Sequence, residues 1–239
     1  MASPLPETAQ RTLHVDALLR IPGLLHGFEQ RASPGVVIPP EDSRARLSRA
    51  LAPFGRLHFL KQVHGAVVHE APWQGRPEGD AGVAPERGLI LGVETADCLP
   101  VLLVDPVRHA VAAAHAGWRG TAAGVTTAAV GALVLGGSAP GDLLAALGPA
   151  NGACCYEVGP ELRDAFAADW PEVARAGPRG RPHLDVRKAN LLQLRRAGLL
   201  EGNIHDVAEC TECHPERYHS YRREGKGGGR MISYVGWSL

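Results

Sequence analysis

The sequence predicts an α+β or layered α/β fold in one domain. Apolar, β-branched runs follow one another closely through the middle of the chain, and helix-like stretches between them open at Pro or stop at Gly. No internal repeat and no linker divides the 239 residues, a length that buries a substantial core. Residues 1–20 read as a loosely ordered N-terminal arm and 21–239 as a single domain. Pro34, Pro39 and Pro40 mark an irregular stretch before a helix over 40–51. The segment 57–71 reads as a strand or hairpin, and 72–87, with its Pro, Gly and charged residues, as a loop. Three strands follow over 88–98, 99–106 and 109–117, the last two joined by a turn at Pro106 and Arg108. A helix is expected over 121–137, with Thr121 as N-cap and Gly136 and Gly137 as the stop. Residues 143–150 read as a short buried strand, and 161–170 as a helix with Pro160 at its first position. Residues 184–186 read as extended, 187–197 as a helix ending at Gly198, and 204–209 and 231–237 as strands.

Composition narrows the function. Hydrophobic residues make up 45%, as in a globular protein. Lys plus Arg equals 25 and Asp plus Glu equals 25, so no overall charge draws the chain toward nucleic acid. The N-terminal MASPLPETAQRTLHVD lacks a basic start followed by an apolar run, and the apolar stretches are too short to span a bilayer. A cytoplasmic enzyme with no membrane contact is expected. There the five Cys residues read as thiols or metal ligands rather than disulfides.

Three segments carry chemistry: Gln62-Val63-His64-Gly65, Asp97-Cys98-Leu99-Pro100 and His115-Ala116-Gly117-Trp118-Arg119-Gly120. Each sets a His or Cys at a strand end beside Gly or Pro, where a rigid scaffold exposes reactive groups. Three His/Cys ligands with an open fourth position make the pattern of a catalytic zinc. Two other readings stand beside it: Cys98 and His115 as a thiolate–imidazole pair, or an inert packed Cys beside ordinary histidines. Gly117, Arg119 and Gly120 precede the expected helix, so an anion can sit at its N-terminus near Arg119; alternatively Thr121 simply caps the helix.

Further motifs stay outside this constellation. Cys210-Thr211-Glu212-Cys213-His214 has the spacing of a c-type haem attachment site, but no export signal accompanies it. A thiol pair fits better, and no second Cys-x-x-Cys completes a zinc site. Cys154 and Cys155 point apart if extended, which gives them structural roles. Gly225 to Arg230, with Arg222 and Arg223, is not a P-loop and reads as a solvated basic turn.

The motifs KQVHG, TADCLPVLLVDP, AAAHAGWRGT, LGPANGACCYEVG and HPERYHSYRREGKGGGRM resemble, in order and spacing, those of the YfiH/laccase-domain family, whose members are called polyphenol oxidases or purine nucleoside phosphorylases. The resemblance runs from about residue 24 to the C-terminus. It implies a layered α/β/β/α sandwich with mixed sheets. It also implies zinc held by His64, Cys98 and His115 as catalytic residues, and phosphorolysis of adenosine, inosine and methylthioadenosine with adenosine deaminase activity. Arg31 and Arg119 are the expected substrate or phosphate contacts, and Asp97 and Glu157 the nearby carboxylates for proton transfer. Where the family carries Thr-Thr-Arg and a Gly-Gly-Val-Ser stretch, this chain has Phe28-Glu29-Gln30-Arg31-Ala32-Ser33-Pro34-Gly35-Val36, which keeps the arginine and alters the loop. The laccase name implies copper, yet the chain has no His-x-His to build a trinuclear cluster, so copper is expected only at the zinc site. The rival readings are a Cys98/His115 thiol hydrolase or amidase acting on another small substrate such as a cell-wall precursor, a copper polyphenol oxidase, and a pure binding module. The expected partners are a nucleoside and phosphate.

Overall fold

The computed structural model of the chain describes residues 11–177 and 180–239. Two mixed sheets pack face to face, numbered here by strand along the chain. The first has the order β1 (Thr12–Leu13), β2 (Leu24–Glu29), β13 (Met231–Trp237), β6 (Leu89–Thr95), β3 (Arg56–Phe59). The second has the order β12 (Ile204–Asp206), β9 (Leu144–Leu147), β7 (Leu99–Asp105), β8 (Ala110–Ala116), β5 (Ala81–Ala84), β4 (Val68–Glu70). A ribbon of β10 (Ala174–Ala176) and β11 (Pro182–Leu184) stands apart.

Strand alternation builds the layers. Leu102 and Val104 of β7, Val111 and Ala113 of β8, and Leu91, Val93, Val235 and Trp237 of the first sheet meet between the sheets. The opposite faces, Leu99, Val101 and Leu103 with Ala112 and Ala114, pack on Val125, Ala129, Val130, Leu133 and Leu194. Those residues come from α4 (Val125–Leu135) and α6 (Val186–Arg196); the other helices are α1 (Asp16–Leu19), α2 (Pro40–Leu51), α3 (Trp118–Ala122), α5 (Pro160–Asp169) and α7 (Tyr221–Glu224). Leu47 and Leu51 of α2 cover Leu25, Ile90, Ile232 and Tyr234 on the outside of the first sheet. The result is the expected α/β/β/α sandwich. Strands buried on both faces have no polar side, so β7 and β8 read as continuous apolar runs.

Several local expectations are corrected. The segment 57–71 is not a hairpin: β3 and β4 lie in different sheets. The expected loop over 72–87 contains β5, paired with both β8 and β4; its four small residues fall between Asp80 and Pro85 and are too few to show a period. The expected helix over 121–137 is two helices, α3 and α4, broken at Gly124, whose φ is +79°. Thr121 is therefore not an N-cap but lies inside α3, fully buried, where its hydroxyl accepts from Asn190 Nδ2 at 2.9 Å. Of the arm expected over 1–20, residues 1–10 lie outside the described residues; β1 pairs with β2 and Leu18 is fully buried. Strand β2, between β1 and β13 in the first sheet, is not evident from local pattern because all six of its residues are buried, His26 and Glu29 included. Among the described residues no helix is long and apolar enough to cross a membrane.

Candidate active site

The chain crosses between the sheets three times at one end of the sandwich, and two of these crossings carry a candidate ligand. Residues 96–98 lead from β6 to β7 and deliver Cys98; residues 60–67 lead from β3 to β4 and deliver His64. His115 is the penultimate residue of β8, opposite Pro100 in register. One ligand atom from each of His64, Cys98 and His115 falls within 4.8 Å of the others. Cys98 Sγ is 3.9 Å from His64 Nε2, and the two imidazole rings meet edge to face at 4.8 Å. A Cβ on Gly117 would stand 3.0 Å from both Cys98 Sγ and His64 Cδ2, so glycine keeps this corner clear.

Asp80 organises the group. It is fully buried, and its carboxylate accepts from the backbone N–H of Val63 (3.1 Å), His64 (2.9 Å) and Gly65 (2.7 Å) and from His115 Nδ1 (2.8 Å). One carboxylate thus holds the loop that carries one histidine and the ring of the other. The three N–H donors wrap His64 into a left-handed conformation, φ +63°. With Nδ1–H given to Asp80, His115 presents Nε2 to the site, the carboxylate–histidine arrangement that orients metal ligands. Burial works against charge at both Cys98 and His115. Contact with His115 and His64 nevertheless draws the Cys98 thiol below its usual range, and the Cys98 sulfur and Asp80 push His115 above the usual histidine range. Both shifts favour a thiolate facing an imidazolium, the state from which a metal displaces a proton. These three side chains can hold a metal ion.

A cavity of about 820 Å³ opens above the group. Its wall carries six cations, Arg44, Lys61, Arg76, Arg119, Arg222 and Arg230, against two carboxylates, Glu94 and Asp97. Both carboxylates are engaged. Glu94 takes Arg44 at 2.7 Å and Arg76 at 2.8 Å. Asp97 accepts from the hydroxyls of Thr211 (2.6 Å) and Ser220 (3.0 Å) and from the backbone N–H of Arg222 (2.7 Å). Arg119 lies over Trp118, Arg222 over Tyr156 and Arg230 over Tyr221, and among the described residues none of the three arginines pairs with a carboxylate.

The sequence expectations divide here. His64, Cys98, His115 and Arg119 come together, although helix α3 begins at Trp118 and is too short to be the anion platform expected after Arg119. Arg31 is not brought to the cavity wall. Its guanidinium donates to Pro215 O at 2.8 Å and to Glu224 at 3.0 Å, which braces the segment before Arg230. Glu157 also lies off the wall and pairs with Arg181, and the Asp97 carboxylate is tied as a brace between loops. The basic stretch 222–230 is not simply a solvated turn, since Arg222 and Arg230 face the cavity. Sequence reading missed Asp80, hidden in the supposed loop, and the aromatic partners Tyr156 and Tyr221, whose only signal was their place inside the motifs LGPANGACCYEVG and HPERYHSYRREGKGGGRM.

A family model described as multi-copper polyphenol oxidoreductase laccase matches residues 40–238. The chain belongs to this laccase family. Among curated proteins, the purine nucleoside phosphorylase SCO2081 of Streptomyces coelicolor is 45% identical over 186 residues, 75% of this chain and 74% of that protein. The purine nucleoside phosphorylase LACC1 of Mus musculus is 34% identical over 218 residues, 88% of this chain; the match spans 50% of the mouse protein, so this chain accounts for half of its length. The adenosine deaminase RL5, from an unknown prokaryotic organism, is 37% identical over 65% of this chain and 61% of its own. The crystal structure of YlmD from Geobacillus stearothermophilus superposes with a TM-score of 0.82 at 29% identity, covering 92% of this chain and 93% of that one. The fold is that of the superposed relative, and the span matched by the family model includes His64, Cys98 and His115 but begins after Arg31.

Proposed function

We propose that this chain is a zinc-dependent purine nucleoside phosphorylase, acting on adenosine, inosine and methylthioadenosine, with adenosine deaminase activity at the same site. The observation that carries the reading is a His64–Cys98–His115 group at the base of a cavity rich in arginine and aromatic side chains. Two imidazoles and a thiolate suit zinc and leave one position open. When bound, zinc supplies Lewis acidity and lowers the pKa of a bound water. The names of the relatives point the same way.

The chain's own residues divide the work. Arg119, Arg222 and Arg230, each held against a ring, offer N–H edges to phosphate. Trp118, Tyr156 and Tyr221 offer apolar faces to a purine. In phosphorolysis a phosphate oxygen bonds to the anomeric carbon and the glycosidic bond breaks. Its electron pair leaves with the purine, which takes up a proton, giving ribose 1-phosphate and free base. Arg31 acts at one remove, holding Glu224 and Pro215 and with them the segment that carries Arg222. Deamination instead takes up water and releases ammonia and needs no anion site. The surplus of cations therefore supports phosphorolysis as the principal reaction.

The test is ribose 1-phosphate release from adenosine and inosine, measured with and without chelator alongside metal analysis. Phosphate-dependent, chelator-sensitive release is expected, and its absence with both substrates overturns the reading. Arg119→Ala should raise the phosphate KM by roughly tenfold or more, the value of a charged hydrogen bond, and the nucleoside KM by less. An unchanged phosphate KM removes Arg119 from that role. A second reading, Cys98 as nucleophile with His115 as its base, rests on the thiolate–imidazolium pair. Chelator-insensitive hydrolysis stopped by thiol alkylation would favour it. Copper absorbance with phenol oxidation would favour the polyphenol oxidase reading.

A further inference from the structure

A second group of ligating side chains lies outside this cavity. The sulfurs of Cys154, Cys155, Cys210 and Cys213 all fall within 4.8 Å of one another. The topology explains how a vicinal pair and a Cys-x-x-Cys nearly 60 residues away meet: β9 and β12 are parallel neighbours, and the bridge between Ala150 and Cys210 extends their pairing to the point where both loops leave the sheet. The vicinal pair does not diverge as extended backbone would require. Residues 153–155 form a turn, and both sulfurs approach Cys213, Cys154 at 3.6 Å and Cys155 at 3.4 Å.

We infer that these four cysteines form a structural tetrathiolate zinc site. Zinc–sulfur bonds of about 2.3 Å in a tetrahedron give sulfur–sulfur edges of about 3.8 Å, close to the separations seen. A disulfide needs about 2.05 Å, and neither measured pair is near it. Before a metal binds, burial and the neighbouring sulfurs push the Cys154 and Cys155 thiols up, whereas Cys210 is surrounded by donors. Gly152 N–H donates to Cys210 Sγ at 3.2 Å, and the backbone N–H groups of Glu212 and Cys213 face the same sulfur, so the Cys-x-x-Cys turn wraps its first cysteine in donors. Arg223 adds positive charge, donating to the carbonyls of Thr211 and Glu212 at 3.1 and 3.3 Å. Four protein ligands close the coordination sphere, which makes the site structural and not catalytic.

The site has a mechanical role for the active site. One of its loops carries Asn151 and Tyr156 of the cavity wall, and the other carries Thr211, whose hydroxyl donates to Asp97 beside Cys98. Tying the loops together fixes that wall.

Metal content of the unaltered chain tests the inference directly: two zinc equivalents per chain are expected. The His64→Ala/His115→Ala double variant should keep one. When that variant is loaded with cobalt, it should show the sulfur-to-metal charge transfer and visible bands of an all-sulfur tetrahedral ion. Cys213→Ser should lose one equivalent and keep the other. A single equivalent in the unaltered chain that vanishes in the double variant overturns the inference. So does a disulfide among the four cysteines, found by mass mapping of alkylated, unreduced protein. Neither result depends on nucleoside turnover, so a failure here is separable from a failure of the phosphorylase reading.

Discussion

At the residue scale the site depends on Asp80 as much as on its three ligands. A buried carboxylate satisfied by three backbone N–H groups and one imidazole keeps its charge; burial alone would raise its pKa, but the His115 and backbone hydrogen bonds hold it below the usual range. Asp80→Asn keeps the shape but removes the charge and turns one oxygen into a donor facing N–H groups. Metal affinity should fall roughly 10- to 100-fold, the usual effect of removing such an orienting partner, as read by competition with a chromogenic chelator. An unchanged affinity would show that His115 needs no such support. Cys98 yields a pH prediction. Its depressed pKa means that chelated protein should react with iodoacetamide well below the ordinary thiol range near ~8.5, and that reactivity should fall only when pH drops through the lowered value. A rate that falls away already near ~8.5 would contradict the ion pair, and added zinc should protect the thiol.

At the element scale, the broken helix matters most. Gly124 is left-handed with open space where a Cβ would go, so it turns the chain between α3, which leaves the site, and α4, which packs on the second sheet. Gly124→Ala should lower stability by about 1–2 kcal/mol from the left-handed penalty alone, without loss of turnover. Denaturant midpoints check the first part, and a larger drop or lost activity would mean that the break itself shapes the site. The helices that the sequence announced over 40–51, 161–170 and 187–197 are found at Pro40–Leu51, Pro160–Asp169 and Val186–Arg196; they begin at proline or at a capping Asp185 and carry their apolar residues at helical spacing. Their signals are local, which is why they were legible. Strands β2 and β5 were not legible. One is buried along its whole length and the other is four small residues long, so neither shows a period of two.

For the whole molecule, stability and function are separable in space. Leu102 is fully buried between the sheets, away from the cavity lining. Leu102→Ala should lower unfolding free energy by about 2–5 kcal/mol while leaving zinc stoichiometry unchanged in the fraction that stays folded. A loss below about 1 kcal/mol would mean that the layer collapses around the gap. The crossings between sheets do the functional work. Because β6 and β7 lie in different sheets although only three residues separate them, the chain turns sharply at Asp97, φ +86°, and sets Cys98 at the seam. The segment from β3 to β4 does the same for His64.

The sequence by itself determined the α+β or layered α/β class, the limits of α2, α5 and α6 to within about a residue, and the strands β6, β7, β8, β9, β12 and β13, because caps, breakers and apolar runs act between near neighbours in the chain. With the resemblance it also singled out His64, Cys98, His115 and Arg119. Only the tertiary structure decided which strands share a sheet, that Asp80 serves two histidines at once, that Arg31 faces Glu224 and not the cavity, and that four cysteines from two loops converge. Each of these depends on contacts between residues far apart in sequence, and such contacts are set by which buried surfaces match across the sandwich, a property that no local window of the chain contains.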